Sequence, residues 1–224
     1  MHHLFRLPYG LGRAIRNLTL ALLVGGSALP ATADQVIAAL GDSLTAGYGL
    51  PDGEGLAPQL QAWLAAQGRE VTVVNAGVSG DTTAGGLSRL DWTLAPEVKA
   101  LIVALGGNDM LRGLPPEASR ANLEAILKGA KAKGIPVLLV AMQAPANLGP
   151  DYQKAFDAIY PELAAEYQVL FNPGFYAPLL GNPPDPAKLG PFLQADGLHP
   201  TAEGVTKIVE GLGPDVLKLL DQIQ

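Results

Sequence analysis

Five short apolar runs rich in Val, Ile, Leu and Ala recur along the chain, at residues 36–40, 71–76, 100–105, 137–142 and 168–171. Runs of that length with little polar alternation suit strands covered on both faces. Between and after them lie segments whose apolar residues repeat at helical spacing, at residues 56–67, 83–90, 117–133, 153–166 and 202–220. Strands that alternate with helices in this way pack as a parallel sheet with right-handed crossovers and helices on both faces. The expected fold class is therefore α/β, a three-layer α/β/α sandwich on a five-stranded parallel sheet, formed by a single domain from residue 34 to 224. Gly134 and Pro136 should end one helix, Pro161 should kink or shorten another, and Gly213-Pro214 should interrupt the last. Residues 172–194, dense in proline and glycine, are expected to form a long ordered loop beside the site.

Residues 1–33 do not fit this alternation. Arg6, Arg13 and Arg16 precede an apolar stretch at residues 18–24, and Ala31-Thr32-Ala33 has the small-x-small pattern that signal peptidase accepts. The segment is predicted to be a secretory signal cleaved after Ala33, which would place the protein in the bacterial periplasm or the medium. Its apolar stretch is shorter than the roughly 20 residues of a bilayer span, so no permanent membrane anchor is expected. The leader holds three arginines and no acid, so its removal takes the formal net charge from −6 to −9. An acidic chain without a basic stripe is a poor partner for nucleic acid or anionic lipid.

Cysteine is absent, which removes thiolate nucleophiles, disulfides, iron–sulfur clusters and cysteine-ligated zinc. Of the three histidines, His2 and His3 lie in the leader, leaving His199 as the one imidazole of the domain. One imidazole and scattered carboxylates make no recognisable metal-ligand set. No cofactor is expected either, since neither G-x-x-x-x-G-K-[ST] nor G-x-G-x-x-G follows the first strand.

Ligands of open parallel sheets bind beyond the carboxyl ends of the strands. There the chain places Gly41-Asp42-Ser43-Leu44-Thr45 after the first run, Gly77-Val78-Ser79-Gly80-Asp81 after the second and Gly106-Gly107-Asn108-Asp109 after the third. Asp196-Gly197-Leu198-His199-Pro200 follows near the C-terminus. Together these segments hold the parts of an acyl-transfer site. A serine hydroxyl is a weak nucleophile until a base takes its proton, and His199 is the available base. Asp196, three residues earlier, is near enough in sequence to fix the ring tautomer, and Pro200 biases His199 towards an extended, projecting conformation. The amides of Ser43 and Gly80 and the side chain of Asn108 are candidate donors to an oxyanion.

In order and content the four segments resemble the four sequence blocks of the SGNH (GDSL) hydrolases. The strings GDSLTAGYGL, NAGVSGDTTAGG and LGGNDMLRG are most similar to the exported thioesterase I/lysophospholipase/arylesterase branch. The resemblance implies a flavodoxin-like sheet, Ser43 as nucleophile, His199 as base, Asp196 as its orienter, and an oxyanion hole from Ser43, Gly80 and Asn108. It also implies a small-molecule ester or lipid as partner. The G-x-S-x-G elbow of the α/β-hydrolases is absent, so Ser79 is not the nucleophile.

Apolar residues near these segments, Tyr48, Leu50, Met110, Leu111, Pro145 and Leu148, are candidates to line an acyl or leaving-group pocket. Asp42 and Asp109 are read as turn-ordering carboxylates, Asp81 as a helix cap, and Trp63 and Trp92 as packing residues. Three functions are compatible with the pattern: a broad serine esterase, a carbohydrate O-acetylesterase using the same machinery, and a non-catalytic flavodoxin-like binding module. The apolar candidates favour the first over the second, and the missing phosphate anchors disfavour the third.

Overall fold

The computed structural model describes residues 1–2 and 35–223. The predicted leader, residues 1–33, lies almost wholly outside the described residues. Five strands, β1 (Gln35–Gly41), β2 (Val71–Gly77), β3 (Val98–Ala104), β4 (Val137–Val140) and β5 (Leu170–Asn172), form one parallel sheet in the order β2-β1-β3-β4-β5. The helices are α1 (Ser43–Ala46), α2 (Leu56–Ala66), α3 (Thr83–Ser88), α4 (Leu90–Thr93), α5 (Gly107–Leu111), α6 (Pro116–Ala132), α7 (Pro150–Tyr167), α8 (Ala177–Leu180) and α9 (Ala202–Leu220). Helices α2 and α9 pack together on one side, while α6 packs with α3 and α7 on the other, giving the three layers. The expected α/β/α sandwich is the observed one.

The central strands are apolar on both faces for the reason the runs predict: Ile37 to Leu40, Ala100 to Ala104 and all of β4 are buried. Strand β2 departs from the expectation. Val71 and Val73 are buried while Thr72 and Val74 are exposed, because β2 is an edge strand with one face uncovered.

Two helices run through their prolines. Helix α9 is continuous across Gly213-Pro214, contrary to the expected interruption. Pro214 frees the carbonyl of Glu210, which is exposed and open to water, so the missing bond is tolerated. Gly213 is small for a packing reason, since a Cβ there would overlap the Trp63 ring of α2. Pro161 likewise lies inside an unbroken α7. The single helix expected at 83–90 is instead two, α3 and α4, which meet at Arg89. Residues 172–194 are not featureless; they contain α8 and two short 3₁₀ turns, Pro186–Lys188 and Gly190–Phe192.

Candidate active site

Strands β1, β2 and β3 end side by side, so the three polar segments that follow them share one rim of the sheet. Asp42 opens α1 by accepting the Leu44 N–H on its Oδ1 at 3.0 Å, which turns the chain sharply and leaves Ser43 at the first position of the helix. Gly80 sits at φ +84, in the left-handed region that a side chain disfavours. Asn108 is in the first turn of α5. Among the described residues, the N–H groups of Ser43 and Gly80 donate to no other protein group.

The fourth segment arrives from the other end of the chain. An antiparallel bridge between Leu193 and Pro200, with Gln194 N–H donating to the His199 carbonyl at 2.7 Å, closes a tight loop around residues 194–199. Within it Asp196 Oδ1 accepts the N–H groups of Leu198 at 2.9 Å and His199 at 3.0 Å, forming a local carboxylate turn. Asp196 Oδ2 lies 2.7 Å from His199 Nδ1, and His199 Nε2 lies 2.8 Å from Ser43 Oγ. The loop is clamped near the first segment by Gln194 Nε2, which donates to the Tyr48 carbonyl at 2.8 Å, and to the start of α8 by the Tyr176 hydroxyl, which donates to the Leu198 carbonyl at 2.7 Å.

Charge settles the proton positions in this chain of groups. The His199 hydrogen bond, reinforced by two backbone N–H groups, holds the Asp196 carboxyl down at about 2. Asp196 is therefore an ionised acceptor at neutral pH, and a proton on His199 Nδ1 would point to it, leaving Nε2 to face the Ser43 hydroxyl. The His199 side chain is 12% exposed and that of Asp196 41%. Burial acts the opposite way on Asp42, which is 2% exposed and whose carboxyl is pushed up to about 6, the Leu44 N–H opposing the rise.

A cavity of about 190 Å³ opens over Ser43 and His199, with Gly80 and Asn108 in its wall. Tyr48, Met110 and Leu111 line it, as the sequence implies. Leu50, Pro145 and Leu148 do not: Leu50 and Leu148 pack against the core, and Pro145 is exposed away from the cavity. Their places are taken by Leu44, Met142, Tyr176 and Leu198. Leu44 beside Ser43 and Leu198 beside His199 carry a signal in their adjacency, whereas Met142 and Tyr176 carry no local pattern that marks them.

Asn108 is more engaged than its sequence position implies. Its Nδ2 donates to the Asp81 carbonyl at 3.0 Å and to Asp42 Oδ2 at 3.2 Å. Asp109 is a buried carboxylate that accepts from Thr83 N–H at 2.8 Å, Thr83 Oγ1 at 2.6 Å and Ser119 Oγ at 3.1 Å, tying α3 to α5 and α6. Asp81 is not the cap expected of it. Thr82 caps α3, accepting the Gly85 N–H at 3.3 Å, and Asp81 pairs with Arg89. Trp63 packs against the core, while Trp92 is exposed.

The sequence profile of the GDSL-like lipase/acylhydrolase family matches residues 39–207, a stretch that holds all four segments. Esterase TesA of Pseudomonas aeruginosa is 40% identical over 189 residues, which span 84% of this chain and 90% of that protein. Thioesterase 1/protease 1/lysophospholipase L1 of Escherichia coli is 35% identical over 193 residues, 85% of this chain and 88% of that one. In structure, the SGNH-hydrolase family esterase AlinE4 superposes with a TM-score of 0.68 at 44% identity, covering 84% of this chain and 97% of its own. With the matching profile spanning three quarters of the sequence and relatives at 35–44% identity, the chain belongs to the GDSL-like lipase/acylhydrolase family and is a serine esterase, a hydrolase of carboxylic esters.

Proposed function

We propose that Ser43 is the nucleophile, His199 its general base and Asp196 the carboxylate that orients the imidazole, with the Ser43 and Gly80 N–H groups and Asn108 Nδ2 as the oxyanion hole. The observation that carries this reading is the continuous hydrogen-bonded series from Asp196 Oδ2 through His199 to Ser43 Oγ, with links of 2.7 and 2.8 Å, at the floor of a cavity. As Ser43 Oγ bonds to the acyl carbon, its proton passes to His199 Nε2 and the carbonyl π electrons move onto oxygen. The two unengaged backbone N–H groups meet that oxyanion, joined by the Asn108 proton that rests on Asp42 Oδ2 at 3.2 Å. Collapse breaks the bond to the leaving oxygen or sulfur, which takes the proton from His199. Water, deprotonated by the same base, then releases the acid and restores Ser43.

The apolar wall of Leu44, Tyr48, Met110, Leu111, Met142, Tyr176 and Leu198 suits aryl groups and short to medium acyl chains. We assign aryl esters, acyl esters, acyl-thioesters and lysophospholipids as the substrate range; the relatives' names, esterase and thioesterase/lysophospholipase, support it. The test is a hydrolysis panel of nitrophenyl esters, acyl-thioesters, lysophospholipids and acetylated glycans with wild type and Ser43→Ala. Turnover in the first three classes, lost by more than about 10⁴-fold in the folded variant, is expected. Turnover by Ser43→Ala close to wild type, or release of acetate from glycans alone, would overturn the assignment.

Residues 1–33 we assign as an export signal, in keeping with the arginine-led apolar stretch and the Ala31-Thr32-Ala33 site. Among the described residues no helix is long and apolar enough to cross a membrane. Protein recovered from the periplasm or medium of a bacterial host should begin at Asp34; recovery only from the cytosol with an intact N-terminus would refute export.

A further inference from the structure

We infer that Arg89 is a positioning residue for the oxyanion hole, a role that rests on the site reading above. Its guanidinium is held at three points. Nη2 donates to the Gly41 carbonyl at 2.8 Å, Nη1 to the Ala76 carbonyl at 2.6 Å, and Nε to Asp81 Oδ2 at 2.7 Å. The side chain is 19% exposed and reaches inward from the break between α3 and α4, where Arg89 leaves helical geometry at φ −112 and ψ 10.

Each acceptor belongs to a segment that carries an oxyanion donor. Gly41 is the last residue of β1, two before Ser43. Ala76 is near the end of β2, four residues before Gly80. Asp81 directly follows Gly80, and its own backbone carbonyl takes the Asn108 amide at 3.0 Å. The guanidinium therefore spans the two strand ends and the turn that present Ser43 and Gly80, and reaches Asn108 through Asp81, whose carbonyl takes the Asn108 amide.

At this rim the Gly41 carbonyl already takes the Val78 N–H at 3.1 Å, so the guanidinium adds a second donor to a strand-end acceptor that has two lone pairs. A planar fork of N–H groups can satisfy adjacent strand carbonyls and a carboxylate at once, and its fixed shape sets the distances among them. A lysine ammonium keeps the charge but not the fork. Arg89 touches neither Ser43 nor His199 and does not line the cavity, so its effect on turnover must pass through the backbone it holds.

The experiment compares wild type, Arg89→Ala, Arg89→Lys, Asn108→Ala and the Arg89→Ala/Asn108→Ala pair on a nitrophenyl acetate, with thermal unfolding of each full chain. Arg89→Ala is expected to lower kcat roughly 10- to 100-fold, at or below the loss from removing one oxyanion donor, with KM changed less than about threefold. In the Asn108→Ala background the same change should lower kcat less than about threefold, because the hole is already impaired. Guanidinium ion at non-denaturing concentration should restore part of the kcat of Arg89→Ala and leave wild type unaffected. Equal losses in both backgrounds would overturn the inference. So would an Arg89→Lys enzyme with wild-type kcat, a measurement that stands even where Arg89→Ala fails to fold. Persistence of turnover in Ser43→Ala would instead sink the site reading itself, so the two failures are separable.

Discussion

Tyr48 lies against the imidazole of His199, with ring centroids 4.6 Å apart and planes inclined by 36°. The ring covers one side of the imidazole while the backbone carbonyl of the same residue takes Gln194 Nε2 from the histidine loop. Aromatic contacts of this kind are worth about 1 kcal/mol. Tyr48→Ala should therefore lower kcat/KM for an aryl acetate roughly fivefold or more, whereas Tyr48→Phe, which keeps the ring, should stay within about twofold of wild type. Steady-state kinetics of the two variants check this, and equal losses would show that the hydroxyl, not the face, matters.

Gly80 has space for a methyl group but not the conformation for one. A Cβ would meet only Arg112 Nη2, at 3.7 Å, yet φ is +84. Gly80→Ala should cost about 1–2 kcal/mol of stability from left-handed strain. If the turn relaxes instead, the N–H leaves the proposed oxyanion hole and kcat falls by roughly 100- to 1,000-fold. Urea unfolding and kinetics together separate the two, and a variant unchanged in both would show that the turn is not constrained.

Asp42 gives stability an unusual pH slope. Its carboxyl moves from an ordinary 3.8 to about 6 on folding, mainly through burial, so the folded chain binds its proton more tightly than the unfolded one. The contribution is complete below about pH 4 and lost as pH rises through 6, a change of about 3 kcal/mol in order of magnitude. Asp196 runs the other way: lowered to about 2 by His199, it stabilises above its ordinary 3.8 and loses that only towards pH 2. The unfolding free energy of Asp42→Asn minus that of wild type should thus rise between pH 4 and 8. A difference flat across that range would refute the buried ionisation.

Asp109 is a structural anchor rather than a participant in the chemistry. Asp109→Ala leaves Thr83 and Ser119 without their buried acceptor and should destabilise the fold by about 3–5 kcal/mol, read from the denaturant midpoint. Loss of less than about 1 kcal/mol would mean that water replaces the carboxylate at the junction of α3, α5 and α6.

How far the sequence carried depended on how local each feature is. The strands were legible because β1, β3 and β4 are apolar on both faces, while the edge strands escaped: β2 has an uncovered face, and β5 is half-buried and runs over 170–172 where 168–171 was expected. Asp196 and His199 could be paired because they lie three positions apart and one carboxylate turn joins them. The cavity wall was harder. Tyr176 enters it from a proline-rich stretch whose path no periodicity describes, while Leu50 and Leu148, near in sequence, turn into the core. Arg89 was invisible for a related reason. Within its segment it looks like one more helical residue, and its three acceptors lie 8, 13 and 48 positions away.

Ser43 and His199 are 156 positions apart, and the histidine loop leads directly into α9, which packs on α2. On the proposed mechanism, a growing or partly threaded polypeptide holds its serine long before it holds a base to activate it. Reactivity should therefore switch on only when the final helix docks, which keeps the emerging chain inert towards the esters around it and makes turnover itself a report that the whole molecule has come together.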